Sequence, residues 1–183
     1  MQSLPDLEQV STLYINLSGQ SVGDRVFHRD AIELLIHAGS EICKRICIEI
    51  TETAAVTNMA DASVFIDQLH ALGIKVALDD FGAGASSFGY LRSLNIDILK
   101  IDGQFIKNML RDPLDAAAVR CFVDVAKIQG LRTVAEYVDN EDVLVHIKEI
   151  GIDFAQGFLL HKPEPIDQLL ARCNQTLITE LAG

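Results

Sequence analysis

The chain has 183 residues, 49% of them hydrophobic, and a formal net charge of −11. That apolar content supplies one sizeable core and points to one domain, while the acidic balance argues against a DNA or RNA polymer as partner, which needs a basic face. No apolar stretch is long enough to span a bilayer, and the start "MQSLPDLEQV" lacks the basic and apolar regions of a signal peptide.

The first predicted strand is "TLYINLS" (Thr12–Ser18), which carries Asn16 near its end. Alone, Asn16 reads as a turn or cap residue; among neighbouring acids it becomes a neutral oxygen ligand. "RICIEIT" (Arg45–Thr51) follows. Glu49 shares a strand face with Cys47 and is expected to point inward. Glu52 stands just beyond the strand, either as an anchor accepting loop amides or in a direct chemical role. A helix is predicted over Asp61–Leu72, where Val64, Phe65, Gln68, Leu69 and Leu72 recur at helical spacing and Gly73 is a stop signal.

"IKVALDD" (Ile74–Asp80) ends in two adjacent carboxylates, Asp79 and Asp80. Neighbours on a strand point to opposite faces, so both reach one site only if the strand ends there and the loop turns, which Gly82 and Gly84 permit. Helix capping would explain one aspartate and not two. "DILKID" (Asp97–Asp102) places Lys100 between Leu99 and Ile101. A buried lysine needs partners: either a structural pair with Asp102, or a role in holding a water or a phosphate oxygen. A helix over Leu114–Gln129 leads to "RTVAEYV" (Arg132–Val138), with Glu136 after an apolar triplet and Asp139 beyond it. Charge complementarity with a helix N-terminus suits Asp139 better than Glu136. A helix over Glu141–Ile150 and the weaker strand "IDFAQGF" (Ile152–Phe158), with Gln156, complete the pattern.

Alternating strands and helices predict a parallel sheet with crossover helices. Each strand carries a polar residue at or near its C-terminal end: Asn16, Glu49, Asp79, Lys100, Glu136 and Gln156. Six strands contributing in turn fit the catalytic rim of a βα barrel better than the single switch point of a doubly wound sheet. A closed barrel needs eight strands and about 250 residues, so the expected fold is an incomplete, modified TIM barrel. The candidate ligands are carboxylates and an amide, and none of the five histidines falls on a strand end. Hard oxygen donors select Mg²⁺ or Mn²⁺, and a two-metal site is the usual apparatus for phosphodiester hydrolysis. The four cysteines, Cys43, Cys47, Cys121 and Cys173, show no C-x-x-C pairing and read as packing thiols in a reducing, cytoplasmic setting.

"INLS", "EITE", "DDFGAGASSFGYL", "LKID", "VAEYVD" and "DFAQGF" occur in this order over roughly Leu13 to Pro163. The series resembles the EAL-domain family, bacterial phosphodiesterases and receptors for cyclic di-GMP. The resemblance implies cleavage of cyclic di-GMP to the linear dinucleotide pGpG. It implies Asn16, Glu49 and Asp79 as ligands of one metal and Asp79, Asp80 and Glu136 as ligands of a second, with Asp79 bridging. Lys100 matches the lysine that holds the catalytic water, and Glu52 the glutamate that anchors the loop after the Asp-Asp pair. Lys100, Glu136 and Glu52 thus form the implied catalytic set, with Asp102, Gln156 and Asp139 on the substrate side.

Three departures qualify the match. The family's "EGVE" reads "EYVD" here, so Asp139 replaces a glutamate with a shorter reach, and Ala85 stands where tyrosine is common. The name-giving Glu-Ala-Leu and its phosphate-contacting arginine, expected upstream of "INLS", are absent. The expectation is therefore a partial EAL domain over 1–183, with barrel elements over 11–163 and a C-terminal helix and tail over 164–183. Two strands would be missing and the open edges would favour a homodimer or other edge-mediated association. The resemblance leaves open an upstream sensory or GGDEF domain in the parent, which the sequence itself does not reveal. The alternatives to an enzyme are a non-catalytic cyclic di-GMP receptor and a chain with only an interaction role.

Overall fold

A computed structural model describes residues 11–84, 88–166 and 168. Among them six parallel strands form one sheet in sequence order: β1 (Leu13–Leu17), β2 (Ile46–Thr51), β3 (Lys75–Phe81), β4 (Ile98–Ile101), β5 (Arg132–Ala135) and β6 (Phe154–Ala155). Helices α1 (Gly19–Val22), α2 (Arg25–Ala38), α3 (Ser40–Cys43), α4 (Glu52–Thr57), α5 (Met59–Ala71), α6 (Gly103–Asn108), α7 (Pro113–Gln129) and α8 (Glu141–Ile150) link them, with a 3₁₀ turn at Phe88–Ser93. The fold is an incomplete βα barrel, as the alternation of strand and helix predicts. The expected C-terminal helix and tail lie almost wholly outside the described residues, as do Ala85 and Cys173.

Local chemistry sets the helix ends. Asp112 caps α7 by accepting the Leu114 amide at 2.8 Å, Pro113 opens the helix, and Gly130 closes it at φ 72°. Asn140 caps α8 in the same way through Val143. Helix α2 lacks a clean apolar period in the sequence, because its inward stripe of Phe27, Ala31, Ile32 and Leu35 is interrupted by His28. His28 is nonetheless buried, stacked on Phe65 at 4.1 Å and hydrogen-bonded through Nε2 to the Val22 carbonyl oxygen. The predicted strand Ile152–Phe158 contracts to two residues, because the chain leaves the ladder beyond Ala155.

Two layers of side chains follow from strand alternation. The outward face packs under the helices in the main core, which includes Ile48, Ile50, Leu78, Leu99 and Ile101. The inward face forms a small separate cluster of Cys47, Ala77, Ile98 and Val134, the floor beneath the polar rim. Burial pushes the Cys47 thiol up to about 12, with Glu49 and Asp97 adding to it, so it is a packing residue. Cys121 is exposed on α7, contrary to the packing role expected of it.

Candidate active site

The polar rim converges on Lys100. From β4 its Nζ lies 2.9 Å from Glu49 Oε1 on β2, 2.7 Å from Asp79 Oδ1 on β3 and 2.9 Å from Glu136 Oε1 just after β5. The lysine side chain is 4% exposed. Burial lowers its pKa, but contact with Asp79, Glu49 and Glu136 more than reverses this and holds it above the ordinary lysine value. The alternative pairing of Lys100 with Asp102 is not the arrangement found: Asp102 caps α6, accepting the Gln104 amide at 2.7 Å.

Asp79 and Asp80 reach one site by a route the sequence does not announce. The strand does not end at Asp80 but runs on through Phe81. Leu78 pairs with Leu99 and Phe81 with Ile101, so two residues of β3 oppose Lys100 alone. This is a β-bulge, and Asp80 takes it up with φ 56°. The bulge resets the alternation, leaving Ala77 and Asp79 inward while Phe81 turns into the outer core against Phe88 and Phe122. Gly82 then turns the chain at φ 99°, where a Cβ would come within 2.7 Å of the Phe105 ring.

One oxygen each from Asp79, Asp80 and Glu136 falls within 4.8 Å of the others. Burial raises the Glu136 carboxyl to about 7; Lys100 opposes the rise, while the charges of Asp79 and Asp80 add to it. Burial, then Asp79 and Asp102, also raise Asp80. Asp79 Oδ1 is buried without an aligned hydrogen bond; its 2.7 Å approach to Lys100 is a charge contact. Four carboxylates thus face one ammonium, so their negative charge is only partly compensated. With Asn16, which pairs in register with Glu49, the donor set is wholly oxygen and fits a hard divalent cation.

Glu52 opens α4 and is 2% exposed. Its Oε2 accepts the amides of Gly82 at 3.0 Å and Gly84 at 3.3 Å, and its Oε1 accepts the Tyr90 hydroxyl. Burial, then Glu52, raise that hydroxyl above its ordinary value. The geometry is that of a loop anchor rather than of a group aimed at a reactant. Gln156 follows β6 and donates its amide to the Ala135 carbonyl at 2.8 Å. Asp139 is exposed, bonded to the Asn140 amide group at 2.7 Å, and outside the Lys100 cluster.

A cavity of about 570 Å³ opens over the rim, lined by Asn16, Glu49, Lys100, Gln156 and His161 among others. A second, of about 450 Å³, adjoins it at Gln156 and Gly157 and takes in Glu136, Tyr137, Asp139 and Lys107. His161 and Lys107 were not legible as site residues, since neither lies on a strand end. Tyr137 stands where the family pattern has glycine and adopts φ 57°, a left-handed backbone that glycine takes without strain. Its ring lies under the Lys107 ammonium, 3.6 Å from the centroid.

A family model described as "EAL domain" matches residues 1–163. The chain belongs to the EAL-domain family. This EAL chain is 40% identical over 161 residues to the cyclic di-GMP phosphodiesterase PdeB of Shewanella oneidensis, covering 87% of the chain and 19% of that protein. It is 41% identical to the cyclic di-GMP phosphodiesterase PdeA of Borreliella burgdorferi, covering 83% and 22%. It thus spans about a fifth of the length of these curated relatives. Its fold superposes on the PaMucR phosphodiesterase in complex with c-di-GMP with a TM-score of 0.79 at 33% identity, covering 86% of this chain and 64% of that one. The EAL domain of Mycobacterium smegmatis DcpA gives 0.78 at 31%, covering 90% and 73%. No helix among the described residues is long and apolar enough to cross a membrane.

Proposed function

We propose that this chain supplies most of the catalytic centre for metal-dependent hydrolysis of cyclic di-GMP to pGpG. The observation that carries the reading is the convergence of Glu49, Asp79 and Glu136 on the Lys100 ammonium, with Asp80 brought alongside by the bulge. The phosphodiesterase relatives named above support the choice of substrate.

Asn16, Glu49 and Asp79 would hold one cation and Asp79, Asp80 and Glu136 a second, Mg²⁺ or Mn²⁺. Bound there, the cations would supply the Lewis acidity that activates water and neutralises the leaving oxygen. Without added positive charge, four carboxylates would repel a phosphodiester; a cation reverses that sign. Lys100 fixes the directions of Glu49, Asp79 and Glu136 from one buried point. Glu52 ties the loop after Asp80 to α4. Gln156 and Asp139 border the cavity on the substrate side, and Asp102 supports the turn after Lys100.

The test uses the full-length protein that carries this domain. Hydrolysis of cyclic di-GMP should proceed with Mg²⁺ or Mn²⁺, fail with Asp79→Ala, and be poorly supported by Ca²⁺, whose longer bonds misplace the two oxygens. An active Asp79→Ala protein, or equal rates with Ca²⁺, refutes the two-metal reading. Tight binding of cyclic di-GMP with no turnover in Mn²⁺ would assign the chain to the receptors instead.

A further inference from the structure

Two aspartates at the end of the sheet opposite the active site repeat one arrangement. Asp97 stands one residue before β4, and its Oδ2 accepts the Val76 amide on β3 at 2.8 Å. Its own amide donates to the Val76 carbonyl at 2.9 Å, so Asp97 grips both backbone groups of one residue. Asp153 stands one residue before β6, and its Oδ2 accepts the Thr133 amide on β5 at 2.8 Å and the Thr133 hydroxyl at 2.9 Å. The Asp153 amide donates back to Thr133 Oγ1 at 3.1 Å. His70 Nε2 adds a 2.9 Å bond to Asp97, and Asn95 meets His70 Nδ1 at 3.1 Å, an arrangement that the Nε2–H tautomer satisfies.

The spacing to the site is the same in both. Asp79 and Lys100 lie three residues beyond Val76 and Asp97; Glu136 and Gln156 lie three residues beyond Thr133 and Asp153. At about 3.3 Å per residue that is about 10 Å along the strand. The ladders alone hold this register weakly. β4 has four residues and β6 two, and the β3–β4 pairing breaks at the bulge. A one-residue slip would turn Lys100 or Gln156 away from the cavity.

We propose that Asp97 and Asp153 are positioning residues of the active site: they staple β4 to β3 and β6 to β5, and so hold Lys100 against Asp79 and Gln156 beside Glu136. The proposal rests on the phosphodiesterase reading for its kinetic consequences and on the fold alone for its structural ones.

Asp97→Ala and Asp153→Ala in the full-length protein separate the two roles. Asp97→Ala should lower kcat about tenfold with KM little changed, because Lys100 acts at the reacting centre; Asp153→Ala should raise KM about tenfold with kcat little changed, because Gln156 borders the substrate. The asparagine variants keep one acceptor oxygen and should recover most of each loss. In amide hydrogen exchange, protection should fall about tenfold at residues 76–79 and 98–101 in Asp97→Ala, and at 133–136 and 154–156 in Asp153→Ala, with helix α7 unchanged. Wild-type kinetics and exchange in the alanine variants, or protection lost uniformly with kcat and KM altered alike in both, overturns the proposal. If an alanine variant does not fold, the asparagine variant carries the exchange test by the same criterion. A wild-type protein without hydrolytic activity removes the functional reading, and the exchange pattern then decides the staples by itself.

Discussion

Replacing Lys100 by methionine removes the ammonium and keeps a side chain of similar length. In the wild-type chain Nζ is 2.7–2.9 Å from three carboxylates whose side chains are 6%, 14% and 13% exposed. Each pair at that distance has a gross Coulomb attraction of about 6 kcal/mol at an effective dielectric of ~20, most of it offset by desolvation. The net loss follows from what remains, namely three buried carboxylates with no counter-charge. Breaking a buried pair from one side costs about 3–5 kcal/mol, and for a domain of this size each kcal/mol moves Tm by about 2–4 °C. Lys100→Met should therefore melt roughly 6–20 °C below wild type in EDTA at pH 8. Scanning calorimetry reads this directly. Millimolar Mn²⁺ should recover much of the loss, because a cation binding the folded state replaces the missing charge. A Lys100→Met protein that melts with the wild type in EDTA at pH 8 would show that the carboxylates are not electrostatically dependent on the lysine.

Glu136 makes the metal-free stability pH-dependent. Its folded pKa of about 7 lies above the ordinary 4.5, so the folded chain holds that proton more tightly than the unfolded one. The resulting stabilisation is complete below about pH 4.5, is lost as pH rises through 7, and amounts to about 3 kcal/mol. Urea titrations in EDTA should show Glu136→Gln gaining on wild type over that range, and parallel curves would contradict it. Tyr90→Phe deletes the hydroxyl that Glu52 accepts and should cost about 1.5–3 kcal/mol in the same assay; a neutral result would mean that the Gly82 and Gly84 amides suffice to hold Glu52. β1 shows Tyr14 47% and Ile15 42% exposed, and among the described residues it pairs only with β2. The 183-residue chain by itself should therefore self-associate through that edge, and a monomer in sedimentation velocity at micromolar concentration would refute it.

What the sequence determined by itself was the rim. Parallel strands bring their C-terminal ends to one face whatever their order, so Asn16, Glu49, Asp79, Lys100, Glu136 and Gln156 could be assigned to one face from strand ends alone. The gathering of acidic oxygens at that rim was legible for the same reason, since it depends on residue type and strand position. Helix α8 and the end of α7 coincide with their predicted limits because Asn140, Gly130 and Gly151 are local signals. Tertiary structure alone decided the rest. The bulge at Asp79 and Asp80 exists only in the pairing of β3 with β4 and cannot be seen in β3 alone. Lys100 could be recognised as needing a partner, but its choice of Glu49, Asp79 and Glu136 over nearby Asp102 depends on three strands distant in sequence. The grip of Asp97 on Val76 and of Asp153 on Thr133 likewise joins residues about twenty positions apart. A sequence pattern records which face a residue takes; which strand lies opposite, and at what register, is set by long-range packing and pairing.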